Sequence, residues 1–273
     1  MTTTTHSFRC EDIRFSYAII EQCKNIIPHV HNLWELILFK KGDASYVVDG
    51  KVYRLTKNCL IISRPWVQHS IIFHTPADYA RYNICFNENL LTSDVCRKLP
   101  QNIDVINFDG NDPVCGLFRK LSYYSEHFQG DTTKALLTHL TEEILCNALI
   151  VSKELDTFDV SSVNPLINQA LKYISDNITL PLCIDDIAAQ LFITKSHLHH
   201  LFVKYLNTTP KKFIISKKLI LAQRDLRSGS KPTEVCLKYG FADYSTFYRD
   251  YRQHFGHAPS QEVNQKVFGN IES

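Results

Sequence analysis

From residue 33 to residue 86 apolar positions come in short bursts separated by turn-forming residues. The run 33–39 is followed by 44–48 and 51–55. These last two flank Asp49-Gly50, a dipeptide suited to a two-residue hairpin because both central positions need positive φ. Leu60-Ile61-Ile62 and Ser70-Ile71-Ile72-Phe73 come next, punctuated by Pro65 and Pro76, and 79–86 is an aromatic-rich strand candidate. Many short strands with turns between them predict an antiparallel sandwich or barrel.

Beyond residue 110 the apolar period lengthens to that of a helix. Asp112-Pro113 reads as an N-cap with proline at the first helical position, where a missing N–H costs nothing. Val114, Leu117, Phe118, Leu121 and Tyr124 then share one face, and Gly130 is expected to close the helix. A second helix is predicted over about 133–154, with a wide apolar stripe from Leu136, Leu137, Leu140, Ile144, Leu145, Ala148 and Leu149. Residues 156–164 lack a period and are expected to form a linker. Further helices are predicted near 165–177, 184–191, 195–206, 210–227, 232–239 and 244–254. Thr194 and Asp243 are placed to cap, Asp185 and Asp186 to sit in a first turn, Pro210 and Pro232 at position N1, and Gly229 and Gly240 as C-terminal stops.

The helical third nearly repeats itself at an offset of 49 residues. Thr194-x-Ser196-x-Leu198 matches Asp243-x-Ser245-x-Phe247, and Phe202 matches Tyr251. Tyr205-Leu206-Asn207 matches His254-Phe255-Gly256, and Thr209-Pro210 matches Ala258-Pro259. Each unit reads as a short helix, a tight turn and a second amphipathic helix, the layout of a helix-turn-helix. One such pair is weak; two in tandem, joined by a long helix, are much more specific.

Residues 165–262 resemble the C-terminal DNA-binding domain of the AraC/XylS family of bacterial transcription regulators. The resemblance rests on Ile187-Ala188, Leu198-x-x-Leu201-Phe202 and Pro210-x-x-Phe213 to Ala222. It is most specific in Tyr239-Gly240-Phe241-Ala242-Asp243-Tyr244-Ser245-Thr246-Phe247-Tyr248-Arg249 and in Phe255-Gly256-x-Ala258-Pro259. It covers about a third of the chain. Asn207 stands for a usual glycine, Lys218 for arginine, Cys236 for alanine and Cys183 for a capping serine or threonine. Carried over by position, the resemblance implies base contacts from Ser196, His199 and His200, with Lys195 near a phosphate. In the second unit it implies Tyr244, Ser245, Tyr248 and Arg249, of which Arg249 is the best candidate for guanine. The helix-turn-helix units span 184–206 and 232–254.

In the N-terminal region, Pro28-His29-Val30-His31-Asn32-Leu33-Trp34-Glu35 with Gly42 has the spacing H-x-H-x3-E-x6-G, and Pro65-Trp66-Val67-Gln68-His69 follows. This resembles a cupin barrel, in which two histidines, a glutamate and a later histidine hold a divalent metal. The ligands would be His29, His31, Glu35 and His69. Sensor domains of AraC-type regulators resemble cupins and generally bind effectors without metal, so the resemblance implies an effector pocket with no metal and no other cofactor. Asn58 also occupies the usual glycine position of the second cupin motif. The effector pocket is expected to use His31, Glu35, Arg64 and His69 as polar anchors, with Trp34, Trp66 and Tyr82 as walls or structural core.

The expected organisation is therefore α+β with two domains: an N-terminal antiparallel β cupin-like barrel followed by two helices, and a C-terminal all-α tandem helix-turn-helix. Residues 1–110 would sense an effector, 111–155 would form a helical dimerisation segment, 156–164 a linker, and 165–262 the DNA-binding domain. Expected partners are double-stranded DNA, a small-molecule effector (a sugar, an aromatic acid or a peptide), a second copy of the chain, and RNA polymerase. The alternative is a metal-dependent cupin enzyme with a helical appendage.

Composition agrees where it speaks. The 273 residues carry 30 Lys+Arg against 28 Asp+Glu, a formal net charge of +2, which hides a division. Residues 165–273 hold 14 basic and 9 acidic side chains, net +5, and residues 1–164 are net −3. A basic domain suits phosphate. The nine cysteines are widely spaced with no C-x-x-C, which favours free thiols in a reducing compartment over a disulfide or zinc framework. The start of the chain has no basic-then-apolar leader, and no apolar run approaches the roughly 20 residues of a membrane helix. A cytoplasmic location with no membrane partner is expected.

Overall fold

The computed structural model describes residues 2–21, 26, 29, 31–48, 51–75, 78–108, 112–154, 164–206 and 208–264. Strands β1 (Thr2–Arg9), β2 (Ile13–Ile20), β3 (Trp34–Lys41), β4 (Ala44–Val48), β5 (Lys51–Arg54), β6 (Cys59–Ser63), β7 (His69–Phe73), β8 (Tyr79–Phe86) and β9 (Val105–Asn107) build two antiparallel sheets. The larger runs in the order β1-β2-β8-β3-β6-β9 and the smaller in the order β5-β4-β7. Strand alternation divides the side chains between two cores. Ile37 and Phe39 of β3 join Tyr46, Tyr53, Ile71 and Tyr79 between the sheets. Trp34, Leu36 and Leu38 point the other way, onto α2 (Pro113–His127) and α3 (Gly130–Glu154).

That second core uses the apolar stripe of α3. Leu137, Leu140, Ile144, Leu145 and Ala148 are buried against the sheet, while Leu136 and Leu149 are half-buried. By length and hydropathy α3 would qualify as a membrane span among the described residues, but its apolar side is packed in this core.

Two expectations are corrected, the role of Gly130 and the start of α3. Gly130 does not close α2. That helix stops at Phe128, whose N–H donates to the Tyr124 carbonyl, and Gly130, at φ +61°, opens α3 three residues earlier than expected. Strands β1, β2 and β9 and the short helix α1 (Val95–Lys98) were not foreseen. β1 carries four consecutive threonines rather than an apolar alternation, and β9 has only three residues. The hairpin dipeptide 49–50, the linker residues 155–163 and Asn207 lie outside the described residues, although Val48 pairs with Lys51 across the first of these.

The helical region follows its predicted boundaries within about two residues: α4 (Pro165–Asp176), α5 (Ile184–Gln190), α6 (Lys195–Leu206), α7 (Pro210–Arg227), α8 (Pro232–Lys238) and α9 (Tyr244–Phe255), ending in a 3-10 turn, Pro259–Asn264. The cap chemistry explains the starts. Asp243 accepts from the Thr246 N–H at 2.7 Å and its hydroxyl at 2.9 Å, and Thr194 accepts from the His197 N–H at 3.1 Å. Cys183 makes no side-chain cap bond, as its chemistry dictates. Gly229, Gly240 and Gly256 all have positive φ at helix ends.

The barrel and the first helix-turn-helix share one apolar cluster. Val47, Val52 and Ile72 on the outer face of the small sheet pack with Ile167, Leu171, Ile174, Leu198 and Phe202.

Candidate functional site

Both recognition helices present a polar face to solvent. On α6, Lys195, Ser196, His199 and His200 are exposed, while Leu198, Leu201 and Phe202 are buried. On α9, Tyr244, Ser245, Tyr248 and Arg249 are exposed, and Phe247 and Tyr251 are fully buried. Lys195 pairs with Asp185 at 2.8 Å, and Arg249 lies 3.5 Å from Asp250. Lys218 is not on this surface. It is buried, its ammonium donates to the Leu180 carbonyl at 3.1 Å, and burial holds its pKa below the ordinary lysine value.

Behind α9 two buried carboxylates brace the second unit. Asp225 accepts from Lys238 Nζ at 2.6 Å and from the Tyr239 hydroxyl at 2.8 Å. Glu262 accepts from Arg227 Nε at 2.5 Å, from the Tyr251 hydroxyl at 2.7 Å, and bonds His257 Nε2. Burial alone would raise the Glu262 pKa, but the bonds from His257, Tyr251 and Arg227 outweigh it and hold the group below its ordinary value. Neither brace was foreseen, because a lone acidic residue on a helix carries no signal of its partner.

The second site lies between the sheets. Strand alternation turns Glu35 of β3 inward together with Ile37, and His69, at the start of β7, faces it. Glu35 Oε2 lies 3.2 Å from His69 Nε2 and 3.5 Å from His31 Nε2, and Oε1 accepts from Asn83 Nδ2 at 2.7 Å. The thiol of Cys85 is 3.7 Å from the same Oε1. Glu35, His31 and His69 are all nearly inaccessible to solvent. Burial by itself would push the Glu35 carboxyl up, but hydrogen bonds and charge from His31 and His69 override it and hold the group well below the carboxylate range. His29 completes the group. Its backbone pairs with that of His69 in both directions, and the two rings meet edge to face with centroids 4.5 Å apart. One ligating atom from each of His29, His31, Glu35 and His69 falls within 4.8 Å of every other.

The remaining expected effector residues do not converge there. Arg64 is buried but spent on structure, donating to Asp104 Oδ1 at 2.9 Å and to the carbonyls of Pro100 and Ile103. Tyr82 lies on the other face of β8 from Asn83 and Cys85, with its ring against Tyr17 and Phe118. Trp66 has φ +64° and carries the Arg227 guanidinium 5.7 Å over its ring, so it meets the helical domain rather than walling the barrel interior. Asn58, also at φ +67°, occupies the position where glycine was expected, and asparagine tolerates that geometry. Asn83 and Cys85 were missed. The run 79–86 is buried or half-buried on both faces, so polarity alone did not tell which side turned inward.

Comparison with known proteins places both regions. Residues 16–121 match the family described as an AraC-like ligand binding domain, and residues 187–265 match a helix-turn-helix domain family. The XylDLEGF operon transcriptional activator of Pseudomonas putida is 29% identical over 51% of this chain, a stretch that spans 41% of that activator's own length. A solved transcriptional regulator of Chromobacterium violaceum, described as AraC-type DNA-binding domain-containing, is 31% identical over 37% of this chain and 91% of its own, with a TM-score of 0.35. The XylDLEGF operon transcriptional activator 3 of Pseudomonas putida is 30% identical over 247 residues, 88% of this chain and 68% of the activator. With that likeness running through barrel and helices alike, this chain belongs to the AraC/XylS family.

Proposed function

We propose that the protein is a sequence-specific DNA-binding regulator of transcription whose activity is set by an effector bound in its N-terminal barrel. The observation that carries this reading is the pair of recognition helices. All eight side chains assigned to DNA by position are exposed, while Leu198, Leu201, Phe202, Phe247 and Tyr251 on the opposite faces of the same helices are buried. Each monomer sets α6 and α9 into successive major grooves about 10 base pairs apart, covering roughly 17–20 base pairs. Arg249 reads guanine and Lys195 holds phosphate.

Residues 1–110 sense the effector through Glu35, His31 and His69, with Asn83 beside them. Residues 111–155 join two copies in a homodimer, for which the exposed Tyr123 and Ile150 offer apolar contact. Residues 156–164 link these parts to the DNA-binding residues 165–262. The protein works in the cytoplasm, beside DNA and RNA polymerase, and is not an enzyme. A metal-dependent cupin enzyme would account for the histidine cluster but leaves two exposed recognition faces without a task.

The test is an electrophoretic shift and footprint on the DNA flanking the protein's own coding region. A retarded complex that weakens with salt is expected. Absence of binding at low salt, with and without effectors, would overturn the reading.

A further inference from the structure

We propose that the effector site takes a divalent first-row transition-metal ion, held by His29, His31, Glu35 and His69, and that this ion is the signal passed to the DNA-binding helices. The first half stands on geometry alone; the second rests on the regulator reading above.

The imidazoles are oriented as ligands. His31 Nδ1 lies 2.8 Å from the Leu33 carbonyl, and His69 Nδ1 lies 2.9 Å from the Val67 carbonyl. A carbonyl oxygen only accepts, so each Nδ1 carries the proton and each Nε2 is directed inward, onto the carboxylate. An outward Nδ1–H bonded to a carbonyl and an inward Nε2 is the arrangement that fixes metal-binding histidines. Among the described residues His31 Nε2 is buried with no well-formed hydrogen bond, its contact with Glu35 Oε2 stretching to 3.5 Å. A buried polar atom left unsatisfied is costly. A cation shared by the Nε2 atoms and the carboxylate removes that cost for the whole group at once.

The spacing and donor chemistry agree. Donors around one ion at roughly 2.1 Å stand about 3–4 Å apart, and these four already lie within 4.8 Å of each other. Closing that gap asks for a small inward movement of the rings. Three imidazoles and one carboxylate suit a borderline ion such as iron, cobalt, nickel or zinc, whereas magnesium and calcium prefer all-oxygen sites.

The ligands also hold the segment that touches the helical domain. The Trp66 N–H donates to the His31 carbonyl at 2.8 Å, and the Val67 carbonyl receives His69 Nδ1. Within this segment Trp66 lies under Arg227 of α7, and Gln68 Nε2 reaches Ser216 Oγ of α7 at 3.5 Å. Trp66 is held in left-handed backbone geometry, which a bulky side chain adopts only when its surroundings impose it. Drawing His31 and His69 together therefore shifts both anchors of the Trp66–Gln68 turn, and the turn bears on the helix that joins the two recognition units.

Full-length protein stripped with EDTA is titrated with Co²⁺, followed by ligand-field absorption and by equilibrium dialysis. One Co²⁺ per chain is expected, displaced by Zn²⁺. Glu35→Gln, His31→Ala and His69→Ala should each weaken it at least about 10-fold, whereas His139→Ala, an exposed histidine on α3, should not. Circular dichroism and melting temperature establish that each variant is folded, and Glu35→Gln is close enough in shape to serve if the histidine variants are not. Failure of the wild-type protein to bind Co²⁺, or binding insensitive to Glu35→Gln, overturns the site. The stripped and loaded proteins are then compared in the DNA shift, where at least a five-fold difference in affinity is expected. Equal affinities overturn the signalling half. Loss of DNA binding in both states, with Co²⁺ still bound, instead overturns the regulator reading and leaves the metal site standing.

Discussion

Arg249 and Lys195 sit on equivalent exposed faces yet should fail in different ways when removed. Arginine makes a bidentate contact with one base, so Arg249→Ala should cost about 1–3 kcal/mol and relax preference at a single position. Lys195 meets phosphate, and must leave its exposed pairing with Asp185 to do so. Lys195→Ala should weaken binding evenly across sequences and lower the salt slope by about one. Competition shifts on a panel of single-base operator variants, at two salt concentrations, separate the two outcomes. Glu262 offers a residue-scale test of stability. Its folded pKa lies below the ordinary value of 4.5, so its contribution is complete above about pH 4.5 and is lost as pH falls through the folded value. Glu262→Gln should lower stability at neutral pH by about 1.5–3 kcal/mol, the range for hydrogen bonds to a charged group. It should also flatten the acid limb of denaturation midpoints against pH. A variant that keeps the wild-type acid slope would show that the brace contributes nothing. Legibility at this scale was uneven. The H-x-H-x3-E spacing announced Glu35 and the histidines, because three of the four lie within seven residues of one another. Asn83 was hidden, since its partner is 48 positions away and only strand pairing brings it near.

Helices were read with the greatest success because their ends carry local chemistry. Thr194, Thr209, Asp112, Asn164 and Asp243 each cap with their own side chain, and a cap needs no knowledge of the tertiary fold. Asp243→Ala removes both bonds that start α9 and should cost about 1 kcal/mol, while Asp243→Asn keeps an acceptor and should cost much less. Melting of the isolated variants by circular dichroism checks the difference. Gly240 is a stricter case. It sits at φ +62°, and a Cβ there would meet Lys218 Nζ and the Thr179 carbonyl at 3.5 Å. Gly240→Ala should destabilise by about 1 kcal/mol through backbone strain rather than through collision. A neutral result would show that the turn relaxes. Strands gave less away. The four threonines of β1 have β-branched propensity without apolar alternation, and the burial of β3, β4 and β6 on both faces erased the period-2 signal that marks a half-buried strand.

At the scale of the whole molecule, the contact between barrel and helices was invisible in the sequence. Val47, Val52 and Ile72 are alternating apolar residues on short strands, and nothing in their pattern says whether the outer face of the small sheet meets a helix, solvent or another subunit. The structure buries them with α4 and α6. A shared apolar cluster couples the stability of the parts it joins, because neither can expose its half without exposing the other's. The wild-type protein should therefore unfold in a single calorimetric transition. Val52 is wholly buried in this cluster, so Val52→Glu places an unpaired carboxylate between barrel and helices, a change worth several kcal/mol against their contact. Val52 points away from Glu35 and the histidines, which lie on the opposite side of the small sheet, so the site itself should survive. The expected result is two transitions, with DNA affinity no longer responding to Co²⁺ although the ion still binds. A single transition in the variant would mean that the cluster does not couple the domains. A retained Co²⁺ response in a variant that does split would place the signal outside this contact, in the Trp66–Gln68 turn alone.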